Sequence, residues 1–222
     1  DGKAVFVADT LPGEHALYRP TKRKKAYEEA KLETLFSASD KRVTPRCAHF
    51  GLCGGCALQH AGENAQLEFK QGQLLAALER VGKVEPDTVL APLVDTRWGY
   101  RRRARLGVKY VEKKGGTLVG FRERGAPFIA LLQRCEVLVA PVGNRLTDLA
   151  ELIDGLSIRE RLPQIEVAAA DNAIALVFRV LDAPSEADLE RLREFGERFD
   201  FSIYLQPGNE DTIAPLDDDA PA

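Results

Sequence analysis

Three of the four cysteines crowd into one stretch of ten residues, CAHFGLCGGC, as Cys47, Cys53 and Cys56. The fourth, Cys135, follows the third after 78 intervening residues. The spacing C-x5-C-x2-C, then a long gap, then C, is three plus one. A centre that used all four thiols would tie a short loop to a distant part of the chain. That requirement constrains the fold more than any other feature of the sequence. Gly51, Gly54 and Gly55 lie in the same stretch. Glycine suits a loop that wraps a metal centre, because it tolerates unusual backbone angles and close approach. Backbone N–H groups in such a loop can point at cluster sulfurs.

Two metals fit thiols at this spacing. Structural zinc usually takes two ligands from each of two C-x2–4-C knuckles. A three-plus-one, all-thiolate set fits a [4Fe–4S] cluster better, with zinc as the alternative. His49 and His60 are near in sequence, but four thiolates already complete a shell. A disulfide framework is the weaker reading, because the chain is long, the thiols are clustered and the N-terminus DGKAVFVADT has no signal-peptide pattern. The sequence begins without Met inside a strand-like stretch, so the expectation is a truncated protein. No apolar run approaches the roughly 18 residues of a membrane span, so no membrane partner is expected.

The net charge of −3 over 222 residues hides an asymmetry. Residues 97–134 carry eleven Lys or Arg against two acids, a net of +9, whereas residues 141–222 carry seven Arg against eighteen acids, a net of −11. Such separation suits polyanion binding by one part of the chain. It also suits solvated hairpins and helices with no ligand at all. The cationic candidates are the run Lys22, Arg23, Lys24 and Lys25 and the cluster Arg101, Arg102, Arg103 and Arg105. On a strand, Arg101, Arg103 and Arg105 would share one face and could follow a phosphate backbone. Trp98 and Tyr100 could stack on bases, although aromatics beside a hairpin more often pack.

Hydrophobic periodicity predicts strands at 4–8, 15–25 and 31–37, with a turn at LPGE. This is compatible with a small barrel. A linker follows at 39–45. Leu67, Leu74, Leu75 and Leu78 predict a helix over 63–81, capped by Gly82. A hairpin is expected over 100–123 around Lys-Lys-Gly-Gly, then a helix within 137–156 and a second hairpin over 164–181. Ser185-x-x-Asp188 opens a helix to about Phe199, and FSIYLQ follows as a strand. The expected class is α+β.

Three stretches, PRCAHFGLCGGCALQH, WGYRRRARLGVKY and VGFRERGAPFIALLQRC, together resemble the iron–sulfur-containing RNA (uracil-C5) methyltransferases. AVFVADTLPGEHALYRPTKRKKAYEEA resembles that family's TRAM domain, a small OB-like RNA-binding barrel. The resemblance implies Cys47, Cys53, Cys56 and Cys135 as ligands of a [4Fe–4S] cluster. It implies a partial TRAM domain at 1–45, a central iron–sulfur α+β domain with an antiparallel sheet and flanking helices at 46–215, and a disordered tail at 216–222. It favours the ribosomal branch, whose substrate is uridine 1939 of bacterial 23S ribosomal RNA, over the transfer-RNA branch. It implies a cytoplasmic, monomeric enzyme that uses S-adenosylmethionine. In that family a cysteine attacks C6 of the uracil and C5 takes the methyl group. All four thiols here match ligand positions, and no Gly-rich strand-to-helix turn for the cofactor is found. The expectation is therefore an RNA-recognition half with no catalytic or S-adenosylmethionine-binding residues, inactive without its methyltransferase domain. A zinc-stabilised RNA-binding module and an iron–sulfur electron-transfer or redox-sensing protein are the alternatives.

Overall fold

The structure is a computed structural model that describes residues 2–217. The chain divides into two compact units. The first comprises residues up to 51 together with 56–94, and the second comprises 52–55 together with everything from 95 on.

In the first unit, β1 (Ala4–Ala8), β2 (His15–Arg23) and β3 (Tyr27–Ser37) form a sheet in the order β1-β3-β2. β1 runs parallel to β3, and β2 runs antiparallel to it with three irregularities in register. The barrel expected from the sequence is not closed. Three strands with two free edges are too few for a sheet to curl back on itself. The turn at 11–14 forms as expected, with Gly13 at φ +83° and the Glu14 N–H donating to the Leu11 carbonyl.

Glu14 locks this turn to the segment after β3. Its carboxylate accepts from Arg42 Nε at 2.5 Å and Nη2 at 2.7 Å, and from the N–H groups of Leu11 and Ser39. Arg42 also donates to the Asp9 carbonyl. The hydrogen bond from Arg42 is the main reason the Glu14 carboxyl is lowered to about 2, against the opposing effect of burial.

The helix predicted over 63–81 is α1 (Glu63–Ala77), continued by a π-turn at Leu78–Gly82. Two details differ from expectation. The left-handed residue that ends it is Lys83, at φ +55°, not Gly82. And none of its residues is buried: Leu74 is 60% exposed. Helical spacing of leucines shows an apolar stripe, but whether the stripe meets anything is a tertiary matter.

The second unit holds the core. β4 (Arg103–Val111), β5 (Gly116–Gly120), β6 (Gln164–Ala169), β7 (Ile174–Arg179), β8 (Ser202–Gln206) and β9 (Ala214–Pro215) form one sheet in the order β5-β4-β6-β7-β8-β9. All neighbours are antiparallel except β7 and β8. That parallel pair follows from the crossover through α4 (Glu186–Phe199), because parallel strands need a long connection. The expected single helix within 137–156 is two, α2 (Ala140–Gly143) and α3 (Leu146–Asp154).

Alternation on the strands sends Ala104, Leu106 and Val108, Ile165 and Val167, and Leu176 and Phe178 to one face. Leu146, Leu149 and Ile153 of α3 and Leu192 and Phe195 of α4 complete the same core. The capping box at Ser185 is present: its side chain accepts from the Asp188 N–H, and Asp188 accepts from the Ser185 N–H. Asp188 is buried and also accepts from the Ser157 hydroxyl and N–H. Burial pushes its carboxyl up, but these hydrogen bonds outweigh burial and lower it to about 2. Residues 216 and 217, expected in a disordered tail, are held: the Leu216 N–H donates to Ile203, and Asp217 pairs with Arg193. The remainder of that expected tail lies outside the described residues.

Candidate metal-binding loop and cationic surface

The four cysteines fall in different units. Cys47 and Cys56 belong to the first, Cys53 and Cys135 to the second. All four are partly buried. In the first unit, the Cys47 N–H donates to Gln59 Oε1 at 3.1 Å and the Cys47 carbonyl accepts from the Phe50 N–H, which closes a tight turn. Gly51 follows at φ +91°.

In the second unit, residues 52–54 lie as a short antiparallel rung against 122–124. The Gly54 N–H donates to the Arg122 carbonyl at 2.9 Å, and the Arg124 N–H to the Leu52 carbonyl at 2.8 Å. A Cβ on Gly54 would stand 3.1 Å from the Arg122 carbonyl, and one on Gly55 3.4 Å from Cys53 Sγ. At Gly54 backbone approaches backbone, so this glycine is there for space. The Gly55 N–H donates to Cys53 Sγ at 3.4 Å. This is the type of N–H···S contact that stabilises a thiolate ligand.

Cys135 is held from the other side of the same unit. Its N–H donates to the Gly143 carbonyl at 2.8 Å, and a Cβ on Gly143 would fall 2.4 Å from the Cys135 carbonyl. Cys53 and Cys135, far apart in sequence, thus both pack on the margin of one hydrophobic core. The donor set suits a thiolate-bound metal. Among the described residues, however, no group of three or more His, Cys, Asp or Glu side chains is gathered closely enough to hold one. His60 is buried at 3% exposure beside the Phe50 ring, and neither ring nitrogen has a hydrogen-bond partner. Burial lowers its pKa, helped by the charge of Arg42.

The cationic candidates are disposed differently from the sequence expectation. Lys22–Lys25 runs from the end of β2 into the β2–β3 turn, where Lys22 pairs with Glu29 and Arg23 with Glu28. Of the arginine cluster, only Arg103 and Arg105 lie on β4 and share its exposed face. Arg101 precedes the strand, where it donates to the Arg103 carbonyl and lies 4.9 Å over the Phe121 ring. Arg101 lies outside β4, bridged to Leu138 through its backbone. Arg102 pairs with Asp171 at 2.8 Å and Arg105 with Glu166 at 2.9 Å. These partners sit on the β6–β7 hairpin. All four side chains are well exposed, so the pairs contribute little to stability and can be exchanged for phosphate. Arg103 has no side-chain partner among the described residues. Tyr100 is exposed and Trp98 half-buried.

Sequence reasoning missed a cleft in the second unit. It has a volume of about 1020 Å³ and lies between the exposed face of the β4–β5 hairpin and residues 121–129. The stretch GFRERGAPF, read only for its place before Cys135, supplies one wall.

Comparisons define first a class. The chain superposes on the crystal structure of the Pyrococcus abyssi tRNA (uracil-54, C5)-methyltransferase, solved with S-adenosyl-L-homocysteine. The TM-score is 0.63 at 23% identity, over 93% of this chain and 48% of that one, which establishes a shared fold. In sequence, the chain is 49% identical over 98% of its length to the 23S rRNA (uracil(1939)-C(5))-methyltransferase RlmD of Alkalilimnicola ehrlichii. It is 48% identical to the enzyme of that name from Alcanivorax borkumensis and 47% identical to that from Methylococcus capsulatus. The chain spans about half the length of these relatives: 49%, 48% and 49% respectively. No protein-family model matches. No helix among the described residues is long and apolar enough to cross a membrane.

Proposed function

We propose that this chain is the RNA-recognition half of an S-adenosylmethionine-dependent RNA (uracil-C5) methyltransferase. Its substrate would be uridine 1939 of 23S ribosomal RNA. One observation carries the reading: 49% identity over 98% of the chain to a relative named for that reaction. The N-terminal strands would be a partial TRAM domain and the segment from about 46 the central domain. The methyl-transfer chemistry, with its cysteine nucleophile and cofactor site, would reside in the half of the relatives' length that this chain does not span. The enzyme would work in the cytoplasm as a monomer.

In this reading Cys47, Cys53, Cys56 and Cys135, which the structure does not gather around one point, would close on a [4Fe–4S] cluster. The cluster supplies cross-linking, since methyl transfer needs no electron. The chain's own contribution is to present the thiolates. The Gly55 N–H donates to Cys53 Sγ, the Gly143 carbonyl anchors Cys135, and the rung at 52–54 fixes the loop against 122–124. Lys22, Arg23, Lys24 and Lys25, with Arg101, Arg102, Arg103 and Arg105, would contact phosphates, which position RNA without reading its sequence.

Iron and sulfide analysis of protein purified without air, with its visible spectrum, tests the metal. Four iron and four sulfide per chain are expected for [4Fe–4S]. Zinc in their place would replace the cluster with a zinc-stabilised module, and a reversible midpoint potential would favour electron transfer. Cys135→Ser should lose iron and melt well below the parent, because a structural metal site contributes to folding directly. A variant that keeps both iron and melting temperature overturns the ligand assignment. Labelled S-adenosylmethionine with an unmodified 23S rRNA fragment should give no turnover with this chain alone.

A further inference from the structure

The cleft beside the β4–β5 hairpin is unlike the other concavities of the molecule. Its walls are mainly apolar, with Phe121, Phe128 and Ile129 prominent, and its rim is cationic. Phe128 lines the cleft and is 63% exposed, so its ring face is open to a ligand. Of the rim charges, Lys114 is matched by Glu123 at 3.7 Å and Arg105 by Glu166. Lys109 and Arg122 have no side-chain partner among the described residues. The cleft therefore presents exposed aromatic surface with two uncompensated positive charges at its edge. At about 1020 Å³ it lies at the upper end of the roughly 300–1,000 Å³ typical of small-ligand sites.

We propose that this cleft takes an unstacked base of single-stranded RNA, stacked on Phe128, with flanking phosphates on Lys109 and Arg122. The proposal rests on the reading of the chain as an RNA-recognition unit and adds to it a place and a mode of contact. The physical case is one of complementarity. A splayed nucleotide offers a flat π-face beside a fixed negative charge, and the cleft offers the converse. An apolar peptide would leave the cations unused, and an acidic one would leave Phe128 exposed. A paired helix buries its base faces and cannot use the ring at all. The wall also has a fixed position: the Arg122 carbonyl receives the Gly54 N–H, and Arg122 bridges to Ile129 in an antiparallel pair.

The test measures binding of this chain to a short unstructured RNA and to a blunt duplex of the same sequence, across a salt series. Phe128→Ala should weaken the single-stranded probe by about 5- to 150-fold, the range of one lost base stack. It should leave the duplex and the salt slope unchanged. Phe128→Trp should restore affinity. Arg122→Gln should flatten the slope of log K against log salt by about 0.7, one contact to a single strand. Should Phe128→Ala melt below the parent, Phe128→Leu, which keeps apolar bulk without a π-face, replaces it with the same expected loss. Parent-like binding by the Ala or Leu variant, or equal loss for both probes, overturns the cleft while RNA recognition stands. Failure of the parent to bind either RNA overturns both.

Discussion

The two units of this chain are stabilised in different ways. In the second, α3 and α4 cover one face of a six-stranded sheet, and Leu106, Leu149, Ile165, Leu176 and Phe178 are wholly excluded from water. In the first, among the described residues, the buried residues are two alanines, Ala30 and Ala61, and His60, and the Glu14 side chain is wholly buried with them. What holds its turn and linker together is polar: Glu14 accepts four hydrogen bonds, two of them from Arg42. A hydrophobic core tolerates changes of pH and salt, because its driving force carries no charge. A unit organised around a buried carboxylate does not. The cleft proposed to take a base lies on the sheet of the second unit.

The largest expected effect attacks the core. Phe178→Ala removes a wholly buried ring from the middle of the sheet. It should cost about 3–5 kcal/mol and leave the second unit largely unfolded near physiological temperature, read by circular dichroism and urea titration. Leu74→Ala, on the exposed helix of the first unit, should stay within about 0.5 kcal/mol of the parent. Comparable losses at both positions would mean that the two units do not differ as described.

Next comes the polar lock. Glu14→Gln leaves Arg42 without its charge partner and should cost about 2–4 kcal/mol in the first unit. Its signature is the pH dependence. The Glu14 carboxyl titrates at about 2 when folded and at the ordinary value of 4.5 when unfolded. A lowered folded value means that the unfolded chain binds the proton more readily, so acid favours unfolding. Stability is therefore whole above 4.5 and is lost as pH falls toward 2. His60, also lowered, adds to the loss from about 6.5 downward. Asp188 produces a narrower window in the second unit, between 3.8 and about 2. The first unit should thus loosen at a higher pH than the second, as amide exchange along an acid series would resolve. In Glu14→Gln the part of that difference due to Glu14 should vanish. Loss of protection at one common pH in the parent would break the comparison.

The smallest effect concerns the cap of α4. Ser185→Ala removes the acceptor for the Asp188 N–H and should cost about 1 kcal/mol. Asp188 keeps its bonds from Ser157, so its low pKa and acid window should persist with little change. If Ser185→Ala instead shifts the acid window strongly, the capping box and not Ser157 governs that carboxylate.

Local periodicity determined much by itself. β1 forms at 4–8, the Ser185 capping box opens α4, and both hairpins of the second unit fall where alternating patterns and turn residues put them. These are short-range outcomes, set by side-chain alternation and by hydrogen bonds within a few residues. The clustered thiols were equally plain, and so was the cationic stretch at 97–134. Tertiary structure alone decided what those features face. The leucine stripe of α1 is nowhere fully buried, with Leu74 exposed and Leu67, Leu75 and Leu78 half-buried, the N-terminal strands stay an open sheet, and Arg102 and Arg105 are drawn to acids on a hairpin some sixty residues on. The cleft was invisible in one dimension, because Lys109 and Phe128 become neighbours only when residues 121–129 fold back over β4. Burial, charge pairing and cavities are properties of pairs distant in sequence, and no local pattern encodes which pairs will meet.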